Sequence, residues 1–200
     1  MPIPAPFASQ KQIRPSGRRP KMMDLMLTIG LLAMCVAAVW SDLRTGRIPN
    51  VLTLTGLGVA LVLRSTGAIA AGGFGILGAG LAGAALALAL SFPLFILGGL
   101  GGGDVKLLVA VGAFLSPSRL LVALAVMAIV GGLIALVVVI RKRALGRTFA
   151  NVWQIVKTAA LAALFRTVPR SSLPTLNTPG AITTPYAVAI AAGAIVGVLL

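Results

Sequence analysis

The chain has no histidine and no glutamate, one cysteine, and three acidic residues in all: Asp24, Asp42 and Asp104. Each shortage removes chemistry. Cys35 stands alone inside an apolar run, so neither a disulfide framework nor a cysteine-ligated zinc site is expected. Without histidine and glutamate a protein-ligated transition metal is not expected either, and no cofactor is. Few chemistries stay open, and the first candidate is acid/base work by one carboxylate paired with another. Asp42 and Asp104 both sit in short polar or glycine-rich breaks between long apolar stretches, and an ionisable group at membrane depth is a functional candidate by default.

Charge of either sign is scarce as well. A chain that is 58% apolar and 10% charged cannot hide its hydrocarbon in one soluble core of this size, which places it in a bilayer. The 17 Lys and Arg give a formal charge of +14. They fall in loops and tails that flank apolar spans, so they read as topology signals and lipid-headgroup contacts rather than as a nucleic-acid surface. The expected fold is an all-α integral membrane protein with about six transmembrane helices, since each crossing takes ~20 mostly apolar residues.

The spans are expected near Met23–Trp40, Val51–Leu63 (with an extension to Ala70 open), Ala71–Leu97, Val105–Leu115, Leu120–Ile140 and Tyr186–Leu200. Leu63-Arg64-Ser65-Thr66-Gly67 reads as a turn. The third span carries Gly75, Gly78, Gly80 and Gly83 at spacings that permit close helix contact, with Pro93 as a candidate kink. The fourth is too short to cross upright, and Ser116-Pro117-Ser118-Arg119 breaks it from the fifth. Trp40, Trp153 and Tyr186 are expected as interface anchors, and Asp24 as a charge at the start of the first span. From Arg147 to Val168, Trp153, Val156, Ala160, Leu161, Leu164, Phe165 and Val168 recur near helical spacing. That stretch reads as a basic interfacial amphipathic helix, with a poorly hydrophobic seventh span as the alternative.

The most basic stretch carries Arg141, Lys142, Arg143, Arg147, Lys157, Arg166 and Arg170. The positive-inside rule puts it in the cytoplasm. Counting crossings back from there brings the Asp42 turn and the Gly98–Asp104 segment to the same cytoplasmic face. It also puts the N-terminal tail outside, although that tail holds Lys11, Arg14, Arg18, Arg19 and Lys21. Two resolutions stay open: translation from Met22 or Met23, or a tail translocated against the rule. Residues 1–21 are therefore read as a basic, disordered tail and residues 22–200 as the membrane domain.

Two constellations carry the chemistry. In Ser41-Asp42-Leu43-Arg44-Thr45-Gly46-Arg47-Ile48-Pro49-Asn50, Asp42 marks where the first span leaves the hydrocarbon, Gly46 allows a turn, Pro49 stops the helix and Asn50 is a candidate cap for the next. The plain alternative is a solvated aspartate ion-paired with Arg44 or Arg47. In Gly98-Gly99-Leu100-Gly101-Gly102-Gly103-Asp104-Val105-Lys106-Leu107, five glycines in six positions let backbone pass close to backbone and leave Asp104 reachable. Its plain alternative is a flexible connector in which Asp104 caps a helix. Lys106 either pairs with an aspartate or, the favoured reading, snorkels to headgroups.

Taken together the motifs resemble the prepilin peptidases, the type IV leader peptidases among the GxGD-type membrane aspartic proteases. Asp42 followed by Ile48-Pro49-Asn50 is similar to that family's first signature, and Gly101-Gly102-Gly103-Asp104 with Lys106-Leu107 to its second. Thr184-Pro185-Tyr186-Ala187 is similar to its C-terminal Pro-Tyr/Phe-Gly segment, with Ala187 where a glycine is common. The resemblance, closest to the short form associated with Flp-type tight-adherence pili, implies an aspartic endopeptidase of the bacterial inner membrane with its active site facing the cytoplasm. It implies Asp42 and Asp104 as the catalytic pair, shaped by Ile48, Pro49, Asn50, Gly101, Gly102, Gly103, Lys106, Pro185 and Tyr186. The partners it implies are a prepilin substrate, the lipid bilayer and other pilus-assembly proteins, with no nucleic acid. Two other readings stand beside it: a non-catalytic pilus-assembly subunit, and a small transporter or channel component.

Overall fold

The computed structural model describes residues 21–96, 99–141 and 186–199, and these form six helices. They are α1 (Lys21–Thr45), α2 (Asn50–Ala70), α3 (Gly75–Ile96), α4 (Gly102–Phe114), α5 (Pro117–Arg141) and α6 (Tyr186–Leu199). The described part is all-helical, as expected for an all-α membrane protein. The N-terminal tail, Gly98, Pro185 and the amphipathic stretch around Trp153 lie outside the described residues.

Among the described residues four helices are long and apolar enough to cross a membrane: α1, α2, α3 and α5. The other two of the expected six spans are shorter. α4 has 13 residues and α6 has 14. At 1.5 Å per residue α4 is roughly 20 Å long, against ~30 Å of hydrocarbon. A helix that short does not span the hydrocarbon by itself, and it is held by protein: among the described helices it touches all five others, packing most extensively on α3 and α2. α5 pairs antiparallel with α6 at the side of this group.

Several expected boundaries move, each for a local reason. α2 does not turn at Leu63–Gly67 but continues to Ala70, because Arg64 is fully buried and donates to backbone carbonyls of neighbouring helices instead of reaching water. α3 starts at Gly75, after a turn over Ala71–Phe74 in which Gly72 takes φ +64°, a conformation that suits glycine. Gly80 and Gly83 make the expected close approach, whereas Gly75 and Gly78 face open space. Pro93 lies within α3, which runs on to Ile96. Ser116-Pro117 starts α5 rather than delaying it to Leu120: proline suits the first helical position, and the Leu120 N–H donates to the Ser116 carbonyl at 2.9 Å.

The packing seams use small residues. At the α3–α4 crossing, a Cβ on Gly83 would run into the Gly112 carbonyl and one on Gly112 into the Gly83 carbonyl. On α6, a Cβ at Gly193 would strike the backbone of Ala123. Lipid-type interiors give helices little hydrophobic reason to associate, so close backbone approach supplies the contact energy.

Candidate active site

The turns of the chain determine which helix ends meet. α1 and α3 finish where α2, α4 and α6 begin, so Asp42, Asn50, Phe95, Asp104 and Ala187 all gather at one end of the bundle. Asp24 starts α1 and is 18 residues before Asp42, about 27 Å along the same helix. There it lines a small crevice with Thr28, Phe114 and Arg119 at the opposite end. It takes no part in the site, in keeping with its reading as a charge at the start of the first span.

Asp42 falls in the last turn of α1, half-buried. Gly46, at φ +64°, ends the helix, its N–H donating to the Asp42 carbonyl at 2.8 Å. Ser41 Oγ and Thr45 Oγ1 donate to the Arg47 carbonyl at 2.9 and 3.1 Å and hold the turn closed. The Asp42 carboxylate oxygen Oδ2 accepts the Ala187 N–H at 3.4 Å, so it meets the N-terminal end of α6, where backbone N–H groups lack partners within the helix. Arg44 lies over the Trp40 ring, 4.1 Å from its centroid.

Asp104 occupies the third position of α4, after Gly102 and Gly103, which are helical rather than part of an open loop. Its Oδ2 accepts the Gly101 N–H at 3.3 Å, so the helix-capping alternative is also realised. Burial is the main influence on this carboxyl, pushing it up to about 6; the Gly101 N–H opposes that shift and the charge of Asp42 adds to it. That last effect ties the two aspartates together electrostatically.

The surrounding residues lock these two ends to each other. A Cβ on Gly103 would lie 3.3 Å from the Cβ of Ile48, so the absence of a side chain there lets α4 sit against the α1–α2 turn. Pro49, extended at φ −62°, ψ 136°, occupies the N-cap position of α2 and brings no side-chain cap. The cap expected of Asn50 is therefore not made. Instead its Oδ1 accepts from Lys106 Nζ at 2.8 Å, so Lys106 ties α4 to α2, not to headgroups or to an aspartate. Gly102 leaves its Cβ direction near Phe95 of α3, and the half-buried Tyr186 opens α6 beside Gly131.

A family model described as the type IV leader peptidase family matches residues 29–137, more than half of the chain. The chain belongs to this family. The match holds both Asp42 and Asp104 and stops short of Tyr186 and Ala187. No curated protein and no solved structure matches the chain. Membership makes it a prepilin-type leader peptidase, a hydrolase, and its helices make it a multi-pass membrane protein. Two features escaped the sequence: the backbone N–H that meets Asp42, and the buried arginine at the far end of α4. The Ala187 N–H was invisible because backbone donors carry no residue signature. Arg64 was hidden by its Ser-Thr-Gly neighbours, which look like a turn; the available signal was an arginine between two apolar runs.

Proposed function

We propose that the protein is a membrane-embedded aspartic endopeptidase that removes the short basic leader of a Flp-type prepilin, with Asp42 and Asp104 as its catalytic pair. The observation that carries this reading is the convergence of the two carboxyls at one end of the bundle, where the charge of Asp42 raises an already desolvated Asp104. Two carboxyls so coupled share a proton, and burial favours Asp104 as its holder. Asp42, held at the start of α6 by the Ala187 N–H, then takes a proton from water.

The water oxygen bonds to the scissile carbonyl carbon while Asp104 donates its proton to the carbonyl oxygen. The tetrahedral intermediate collapses with cleavage of the C–N bond. The proton taken up by Asp42 passes to the leaving amine, one hydroxyl proton of the intermediate returns to Asp104 as the carbonyl re-forms, and the new acid and amine depart as products. The positive-inside count from Arg141 to Arg170 supports a cytoplasmic active site in the inner membrane, with the prepilin helix entering from the membrane plane.

The test is cleavage of a co-expressed Flp-type prepilin, read as a gel mobility shift, by the wild type and by Asp42→Asn and Asp104→Asn. Both variants should insert at normal levels and lose at least ~10³-fold of the activity, as expected for members of an acid/base pair. Normal processing by either one removes that aspartate from the mechanism and favours an assembly or transport role.

A further inference from the structure

We propose that Arg64 is a positioning residue for Asp104: by gripping the protein-enclosed C-terminal end of α4 it sets where the other end of that helix presents the carboxyl. The catalytic consequence rests on the two-aspartate reading above; the anchoring geometry does not.

The physical problem is the C-terminus of α4. The last four carbonyls of any helix have no partner within it, and where protein encloses them a side chain has to supply one. α4 ends at Phe114, short of a full crossing, with only Leu115 and Ser116 before α5. Arg64, with no exposed surface, reaches this end from α2. Its Nε donates to the Ala113 carbonyl at 2.6 Å, Nη2 to the Phe114 carbonyl at 2.6 Å, and Nη1 to the Ile76 carbonyl of α3 at 2.9 Å. One planar guanidinium thus joins α2, α3 and α4, in directions that its rigid fork fixes, and a cation at a helix C-terminus is favoured by the dipole. Lysine, whose three N–H donors share one nitrogen on a flexible stem, cannot reproduce bonds made from three separate nitrogens.

α4 transmits this constraint because it is a short, unbroken helix and eight of its residues are buried: Val105, Leu107, Leu108 and Ala110 through Phe114. Close-packed interiors shift as units, so slip at Phe114 becomes slip at Asp104. At the Asp104 end the clearance is small, as Gly103 against Ile48 shows.

Disulfide cross-linking tests the anchor without reference to catalysis. In a Cys35→Ala background, the pair Ile48→Cys and Gly103→Cys reports the Asp104 end of α4, where the two Cβ positions are 3.3 Å apart. The pair Gly131→Cys and Ala189→Cys, 3.5 Å apart on α5 and α6, reports the fold away from α4. Both separations are near the ~3.8 Å of natural disulfides. Adding Arg64→Gln should slow copper-phenanthroline cross-linking of the first pair about tenfold and leave the second at its original rate, since bond formation demands narrow geometry. In the chain without introduced cysteines, Arg64→Gln should lower kcat for prepilin cleavage by about 10²-fold with KM within about twofold, the scale of a ~1 Å misplacement. Arg64→Lys should recover only part of that loss.

Unchanged cross-linking of the first pair overturns the proposal. So does loss of both pairs together, because Arg64 would then hold the bundle rather than α4. Slipped cross-linking with undiminished kcat overturns the catalytic consequence. If Asp42→Asn or Asp104→Asn cleaves normally while the cross-links respond as expected, the aspartate mechanism fails and the anchoring role of Arg64 stands.

Discussion

α4 and α5 are neighbours in the chain, separated by Leu115 and Ser116, and both are strongly apolar, yet they occupy opposite environments. α5 is a 25-residue helix that exposes Leu121, Ile129, Leu133, Leu136 and Ile140, the side chains of a helix that faces lipid. α4 is half as long and has its Leu107, Ala110 and Ala113 fully enclosed. Apolar composition says that both are in the membrane, but not which of them lipid touches. Two features separate them. α4 has Gly112 where α3 presents Gly83, which allows backbone contact, and it has a polar partner, Arg64, for its buried carbonyl end. α5 is long enough for its ends to reach polar surroundings and needs neither device.

The largest effect that would test this contrast comes from filling the α3–α4 seam. Gly112→Leu would force side-chain carbon into the backbone of Gly83, where no rotamer change relieves it, and should cost about 3 kcal/mol or prevent assembly. The check is thermal unfolding in detergent, with Gly83→Leu expected to match it. A wild-type unfolding temperature in either variant would show that α4 is not close-packed on α3.

A second effect concerns the acid that α4 carries. With only three aspartates and no glutamate, carboxyl ¹³C signals can be assigned by single substitutions. The Asp104 signal should titrate near 6, and in Asp42→Asn its midpoint should fall while staying above the ordinary 3.8, because burial is the larger cause. The sign for stability follows from the raised value: the folded state holds this proton more tightly than the unfolded chain, so its contribution is complete below about 3.8 and is lost as pH rises through about 6. A midpoint at 3.8 would mean that the N-terminal end of α4 is open to water.

Smaller again is the tie between α4 and α2. Lys106→Met removes the bond to Asn50, and Asn50→Ala should match it, each costing about 1 kcal/mol or less because the pair is exposed. A double-mutant cycle gives the coupling. At the bottom of the scale, Gly132→Leu on α5 meets nothing within 4 Å and should leave unfolding and cleavage within about 0.5 kcal/mol of wild type. A large loss there would assign that face of α5 to a protein contact instead of lipid.

Much of the candidate site's arrangement was legible beforehand because it depends on local signals. Asp42 before a Gly-Arg-Ile-Pro turn, and Asp104 after a glycine run, stand at helix ends whatever else the bundle does, and the parity of crossings brings those ends to one face. The resemblance carried by these motifs agrees with the family match over residues 29–137. Arg64 was misread for an equally physical reason: Arg-Ser-Thr-Gly suits a turn in isolation, and only carbonyls some 50 positions away make it a good helix interior. Asn50 was misassigned as a cap because its actual partner, Lys106, lies on another helix.

Hydrophobic runs, prolines and glycines by themselves determined that this chain is helical, that it belongs in a membrane, and that two of its few acids emerge at the same end. Those properties follow from span length and backbone preference, which act within a few residues. Only the tertiary structure decided that α4 is the enclosed helix, that Arg64 holds its buried end, and that the first turn of α6 faces Asp42. Such choices depend on the register between helices distant in sequence, and no local pattern encodes the carbonyl or N–H that a distant side chain will meet.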